Sequence, residues 1–362
     1  MNWKNRLLQR IVTTLRPRTL NPIDQKKFLI LSTTGLGDTL WGTPALRSLR
    51  EQFPSSYIAV VTSPIGYEVL QHNRRIDALF VVKDPVLRHL IPLYRKLRAK
   101  NFSHVLSFHV SQRPMIPFGA ILGAHEIIGT KGLHKGLDFL LTQAIEQKPC
   151  HEIERRLQIA ASAGAHPLDR SMELFISPED INQADHVLEH LEIPSYLPLV
   201  GMHPGAKDRF KQWPPSHYID LGNRLTQHLG CKILITGTPA EKSLAEYIAS
   251  RISGASAITN LPLRSTAALI KRLDLFITND TGPMHVAFAM KTPTIAPFCP
   301  TNPELCGPYF AENSIAIAKK ITCTPCLSKK CKEPFCMLQI GVDEVYNAAV
   351  GLFYKSKGVH TP

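Results

Sequence analysis

Lys27-Phe-Leu-Ile-Leu-Ser-Thr-Thr-Gly-Leu-Gly-Asp38 decides the fold of this chain. An apolar run too short for a helix passes into a Gly-Leu-Gly turn, and a helical pattern follows to about Phe53. Strand, tight loop and helix in that order start a parallel sheet covered on both faces. Outward from this unit the same grammar continues. Tyr57–Thr62, Ala78–Val82 and His104–Phe108 read as buried strands, with a helix near Gly66–His72 between the first two. It restarts at Leu197-Pro-Leu-Val-Gly-Met-His203, followed by a helix over Pro215–Leu229 and a strand at Lys232–Thr236. Leu275–Thr278, the helix Met284–Met290 and the strand Thr294–Phe298 complete the series. The Pro-punctuated stretch from Ser177 to Pro198 reads as the linker. The expected architecture is α/β: two doubly wound, Rossmann-like domains facing a central cleft, with ligands at the carboxyl ends of the strands.

Composition fits that picture. With 362 residues, 44% apolar and 20% charged, the chain is long enough for two cores and is neither disordered nor fibrous. No apolar run approaches the ~18–20 residues that cross a bilayer. The basic N-terminus lacks the apolar core of a cleaved leader, so a cytoplasmic location is expected, with its cysteines as thiols or metal ligands. Lys plus Arg is 42 against 29 Asp plus Glu, a net charge of +13. Residues 1–26 concentrate it in a basic segment where Trp3, Leu7, Leu8, Ile11, Val12 and Leu15 recur at helical spacing. Two readings stay open: an amphipathic helix on an anionic membrane surface, or a helix packed on its own domain. The tract Arg88–Lys100, continued by Arg113, Lys131 and Lys135, also suggests an anionic partner. No nucleic-acid-binding module is present, so no nucleic-acid partner is expected.

Four loops at strand ends carry the candidate chemistry. Gly35 and Gly37 permit close backbone approach, and the helix start behind them favours an anion. The third glycine of a dinucleotide fingerprint is replaced by Leu40, and no P-loop lysine follows. Asp38 closes this loop, either as a helix cap or as a general base for a hydroxyl acceptor. Asn279-Asp280-Thr281-Gly282-Pro283-Met284-His285 opens another helix, where Asp280, Thr281 and free backbone N–H groups suit a phosphate or sugar hydroxyls. His285 reads equally as a packed core histidine. Lys211 suits a diphosphate or is an exposed loop lysine. Glu241, beyond Gly237-Thr-Pro-Ala, stands where a carboxylate would meet ribose hydroxyls. Cys323-x2-Cys326-x4-Cys331-x4-Cys336 resembles a structural zinc site, with free thiols as the alternative. Cys150, Cys231, Cys299 and Cys306 have no such spacing and read as packing residues.

Several blocks together resemble the lipopolysaccharide heptosyltransferases, glycosyltransferase family 9. They are Leu31-Ser-Thr-Thr-Gly-Leu-Gly-Asp-Thr-Leu with Thr43-Pro-Ala-Leu-Arg-Ser-Leu, then Gly201-Met-His-Pro-Gly-Ala with Lys211-Gln-Trp-Pro. Asp280-Thr-Gly-Pro-Met-His285 follows, with Thr292-Pro-Thr, Pro300-Thr-Asn-Pro and Gly307-Pro-Tyr309. The resemblance runs from about residue 27 to 350. It implies the GT-B fold, with an acceptor-side domain at 27–185, a nucleotide-sugar-binding domain at 186–350 and a tail at 351–362. It implies inverting transfer of heptose from ADP-heptose to the inner core of lipopolysaccharide, with no cofactor required for catalysis. Asp38 is then the implied base, Lys211 the diphosphate contact and Glu241 the ribose contact. Asp280, Thr281, Gly282 and His285 fall in the implied donor loop. Pro283 and Met284 depart from the commoner leucine-containing version, and residues 206–210 lack a hydroxyl pair found in some members. The basic N-terminal segment precedes the usual start of the family, and interfacial anchoring at the inner membrane near a lipid acceptor is its simplest account. Transfer to protein, use of another nucleotide sugar, and non-catalytic nucleotide-sugar binding are the alternative functions.

Overall fold

The structure is a computed structural model that describes residues 3–15, 25–319 and 335–358. The chain divides into two compact units, Met1–Phe175 and Ile176–Pro362. The first holds six parallel strands: β1 (Lys27–Ser32), β2 (Tyr57–Thr62), β3 (Ala78–Val81), β4 (His104–His109), β5 (Glu126–Thr130) and β6 (Gln143–Ile145). Their order in the sheet is β3-β2-β1-β4-β5-β6. The second holds β7 (Leu199–His203), β8 (Lys232–Thr236), β9 (Ser256–Ile258), β10 (Leu275–Thr278), β11 (Thr294–Phe298) and β12 (Ser314–Ala318). Their order, β9-β8-β7-β10-β11-β12, repeats the wiring of the first sheet. Both are the doubly wound order in which the chain reverses direction across the sheet between its first and fourth strands. That reversal leaves a crevice beyond the carboxyl ends of β1 and β4, and another beyond β7 and β10.

The strands form here because they are apolar on both faces. Phe28, Leu29, Ile30 and Leu31 are fully buried, each burial stabilising the unit by about 1.5–3 kcal/mol relative to exposure. β7 runs past β10 closely enough that a Cβ on Gly201 would stand 2.3 Å from Leu273 and 2.8 Å from Phe276. The core strands match the sequence expectations within a residue or two, but β5, β6, β9 and β12 were not anticipated. They are edge or next-to-edge strands, short or partly exposed, and β6 carries only Gln143, Ala144 and Ile145.

The supposed linker is mostly helix. Pro178–His190 is capped by Ser177, whose hydroxyl accepts from the Asp180 amide while Asp180 accepts from the Ser177 amide at 2.6 Å. Arg264 of the helix Leu263–Arg272 pairs with Asp180, which ties this segment to the second unit. Upstream, Arg47 is nearly buried and bonds Glu173 at 2.9 Å and the Ser171 carbonyl at 2.8 Å, holding that strand of chain to the first unit. The division therefore falls at 175/176, ahead of the expected 185/186. The expected tail is also structured to Ser356: the helix Val342–Ser356 places Leu352 in the second core and buries Phe353 as well.

The N-terminal helix Trp3–Leu15 forms as the spacing suggests, and it is packed on its own domain. Val12 is buried in the first core. Asn5 donates to the Gly136 carbonyl at 3.1 Å and accepts from Arg113 at 2.8 Å. None of the described helices is long and apolar enough to cross a membrane.

Candidate active site

In the first unit the turn after β1 is held from both sides. The Thr33 amide donates to the His109 carbonyl at the end of β4 (3.0 Å), and the Thr33 hydroxyl to Gln112 (2.6 Å). Gly35, in extended conformation, caps the short helix Leu36–Leu40, and its amide donates to the Asp38 carboxylate at 3.3 Å. Asp38 thus has the local role of a helix-capping residue, yet that one bond leaves its other oxygen turned toward buried Arg156 and half-buried His109. Arg156 Nη2 lies 3.5 Å away and His109 Nδ1 3.7 Å away, with the Asp38 side chain 27% exposed.

Arg156 comes from the helix Glu152–Ser162 and is completely buried. Its guanidinium lies 5.3 Å from the Trp41 ring centre, pairs with the Glu152 carboxylate and donates to the Glu152 carbonyl at 2.8 Å. Its Nε and Nη2 have no hydrogen-bond acceptor within reach. Burial acts to raise the Glu152 pKa, but the charges and hydrogen bonds of Arg156 and Arg155 overcome it and hold the carboxylate below its ordinary range. Burial also lowers the His109 pKa, more than the Asp38 charge raises it, and Arg156 adds to the lowering. At neutral pH Asp38 therefore has one permanent cation and one neutral imidazole beside it.

A second arrangement in this unit has the spacing of a hydrolase triad. His134 Nε2 is 3.0 Å from Ser107 Oγ, and Nδ1 is 2.8 Å from Asp138. Ser107 and His134 are both buried, and the His134 ring fills the space where a Cβ on Gly129 would stand. No substrate carbonyl has room to reach the hydroxyl, so these bonds brace the loop against β4.

In the second unit one buried amide organises the loops. Asn279, directly after β10, accepts from the Trp213 amide (2.9 Å) and the Tyr218 hydroxyl (3.1 Å). Its NH2 donates to the carbonyls of Pro204 (2.8 Å) and Gly205 (3.3 Å). The loop after β7 is thereby fixed at both ends to the loop after β10. Lys211 and Asp280 are brought together as an ion pair, and the Thr301 hydroxyl donates to the same carboxylate. Asp280 is nearly buried and Lys211 partly exposed, so the ammonium is the accessible member. Thr281 caps the helix Gly282–Met290 in extended conformation, with its hydroxyl on the Asn279 carbonyl at 3.3 Å. His285 is buried one turn in, edge-on to Phe288 at 5.9 Å.

Glu241 closes the remaining side. Its Oε2 accepts from the amide and hydroxyl of Thr238, both at 2.8 Å. Its carboxylate presses on Gly205 so closely that a Cβ there would stand 2.0 Å from Oε1. His203, at the end of β7, lies 4.0 Å from it, with its pKa lowered by burial and only partly restored by the Glu241 charge.

Of the expected residues, Gly35, Gly37 and Asp38 share one loop, while Lys211, Glu241, Asp280, Thr281 and Gly282 line the loops at the other crevice. Sequence reasoning missed Arg156, His109, Asn279 and Thr301. Asn279 and Thr301 lay inside quoted motifs; nothing in the string singles out Arg156. Cys323, Cys326 and Cys331 lie outside the described residues, and Cys336 is a free, buried thiol of the second core. Among the described residues no group of three His, Cys, Asp or Glu is placed to hold a metal ion. Cys231, Cys299 and Cys306 are buried and Cys150 is half-buried; Cys306 donates to the Asn302 carbonyl at 3.4 Å, and burial pushes the Cys231 thiol up to about 12.

Two units of identical wiring, each presenting polar loops at the carboxyl ends of its sheet, give the GT-B architecture. Residues 91–336 match the model of glycosyltransferase family 9 (heptosyltransferase), and the chain belongs to that family. It is 29% identical over 182 residues to lipopolysaccharide heptosyltransferase 1 of Pseudomonas aeruginosa, a match spanning 50% of this chain and 48% of that protein. It is 24% identical over 328 residues to lipooligosaccharide heptosyltransferase 2 of Campylobacter jejuni, spanning 88% of this chain and 96% of that protein. The crystal structure of the family 9 glycosyltransferase from Veillonella parvula superposes with a TM-score of 0.82 at 23% identity, covering 93% of this chain and 100% of that one.

Proposed function

We propose that the protein transfers heptose from ADP-heptose to the inner core of lipopolysaccharide, with inversion, at the cytoplasmic face of the inner membrane. The observation that carries this reading is the placement of the Asp38 carboxylate at the β1 turn, 3.5 Å from the buried Arg156 guanidinium and 3.7 Å from His109. A sugar hydroxyl is a weak nucleophile at neutral pH and needs such a base in the transition state. Asp38 takes the hydroxyl proton, the oxygen forms its bond to the anomeric carbon, and the bond from that carbon to the diphosphate breaks. One displacement inverts the anomeric centre. The leaving ADP carries the electron pair, and its growing charge is offset by Lys211 and the backbone N–H groups at Gly282. Asp280 holds Lys211 in place, and Glu241 accepts the ribose hydroxyls. The donor loops are rigid before substrate arrives, because Asn279 fixes them through main-chain atoms, so little order has to be gained at the moment of reaction.

The test is ADP release from ADP-heptose with a heptose-deficient inner-core acceptor, alongside other nucleotide sugars and a protein acceptor. Turnover confined to ADP-heptose with the core acceptor and lost in Asp38→Asn is the expected result. ADP binding with no donor consumption for any acceptor would instead define a nucleotide-sugar-binding protein.

A further inference from the structure

The helix Val86–Arg98 is apolar on more of its surface than its own core requires. Val86, Leu90, Leu93 and Leu97 face inward and are buried. Leu87 and Ile91, one turn apart on the outer side, are each 66% exposed. Large apolar side chains exposed singly are ordinary; two stacked at i and i+4 beside an apolar groove are not. The groove, about 490 Å³, runs between this helix and the N-terminal helix. Leu8, Val12, Leu87, Ile91 and Phe118 line it, and Arg113 is its charged member.

The charge around this face is predominantly positive, with exposed Asp84 ahead of the helix offset by Lys83 beside it. From Pro85 to His125 the sequence contains no Asp or Glu, while Arg88, Arg95, Lys96, Arg98, Lys100 and Arg113 are all present and exposed. Arg6 and Arg10 add exposed cations on the N-terminal helix. A protein partner with an acidic patch would ask for charges at defined places. A surface carrying anions everywhere asks only for cations around an apolar centre, which is the pattern here. The N-terminal helix is meanwhile committed to its own domain through Val12 and Asn5.

We infer that the face formed by Leu87 and Ile91, with its surrounding arginines and lysines, is the surface by which the protein docks on an anionic phospholipid bilayer. Leu87 and Ile91 enter the headgroup–acyl boundary, and the cations meet lipid phosphates. The inference deepens the proposed membrane location by naming its surface, and it rests on that reading.

The experiment is co-sedimentation with phosphatidylglycerol–phosphatidylethanolamine vesicles and with pure phosphatidylcholine vesicles, for the full chain, Leu87→Gln/Ile91→Gln and Arg95→Gln/Lys96→Gln. The wild type is expected to bind the anionic vesicles, more weakly as salt rises, and to bind phosphatidylcholine little. Leu87→Gln/Ile91→Gln should lose about tenfold or more in vesicle affinity. Arg95→Gln/Lys96→Gln should lose a comparable amount that vanishes at high salt. Both variants should keep wild-type turnover on a soluble, deacylated core acceptor. Vesicle binding by Leu87→Gln/Ile91→Gln equal to wild type overturns the inference, as does equal wild-type binding to both lipid mixtures. Lost turnover on the soluble acceptor overturns it as well, by placing the patch in the acceptor site. Failure of the wild type to consume donor with any acceptor counts against the proposed reaction alone, since vesicle binding is read separately.

Discussion

The two crevices share a wiring diagram and differ in how firmly their polar groups are held. In the first, Asp38 has one 3.3 Å bond from the Gly35 amide and two neighbours beyond hydrogen-bond distance. In the second, Asn279 alone makes four hydrogen bonds, and Lys211, Asp280 and Thr301 are joined. A group that must gain and lose a proton is useful when its acceptor capacity is not spent on the protein. Groups that hold a diphosphate are useful when they do not move. The same fold meets both demands by varying only what hangs on the strand ends.

The comparison breaks most visibly at Asp38. Asp38→Asn should lower kcat by about 10²–10⁴ while ADP affinity, measured by calorimetry, stays within twofold. An equal loss of ADP binding would erase the division between a reacting and a gripping half. Lys211→Met should give the opposite signature, with weaker ADP binding joined to a fall of about 10²–10³ in kcat. Asn279→Ala should cost about 3 kcal/mol of stability by urea unfolding, because the Trp213 amide, the Tyr218 hydroxyl and the Pro204 carbonyl lose their partner together.

A pair of glycines sharpens the picture at smaller scale. Gly205→Ala pushes a Cβ into the movable Glu241 carboxylate, so donor KM should rise about tenfold with stability changed by less than about 0.5 kcal/mol. Gly201→Ala meets Leu273 and Phe276 in the core and should lower stability by about 1–3 kcal/mol instead. Unfolding midpoints well apart for these two variants would bear this out.

The smallest effect is shared by both units. His104, His109, His203 and His217 all have pKa values lowered from 6.5, chiefly by burial. The unfolded chain then binds more protons than the folded one, so this stability is present above 6.5 and is lost as pH falls through the folded values. The urea midpoint should drop between pH 7 and 5. Glu152, Asp169 and Asp180, whose pKa values are held below 4.5, 3.8 and 3.8, add losses of the same sign only in more acid solution.

Much of this was legible in the string. Phe28–Leu31 and Ile233–Ile235 could only be buried strands, and the glycine-rich turns after them marked the strand ends where chemistry collects. The misses have physical reasons. Short edge strands such as β6 take their conformation from a neighbour rather than from their own residues. The helix Pro178–His190 was hidden by its polarity, although its Ser177-Pro-Glu-Asp180 cap was in plain view. Arg156 could not be found at all: beside Glu152 on its own helix it looks like a surface pair, and its burial shows only when Asp38 and Trp41 close around it from a distant part of the chain.

Asn279 grips main-chain atoms at 204, 205 and 213 and no side chain between them. Lys207 and Arg209 are exposed in that span, so the outline of the donor loop does not depend on which residues stand there. Substitutions at these positions can therefore leave the backbone in place, because a single carboxamide keeps the scaffold true.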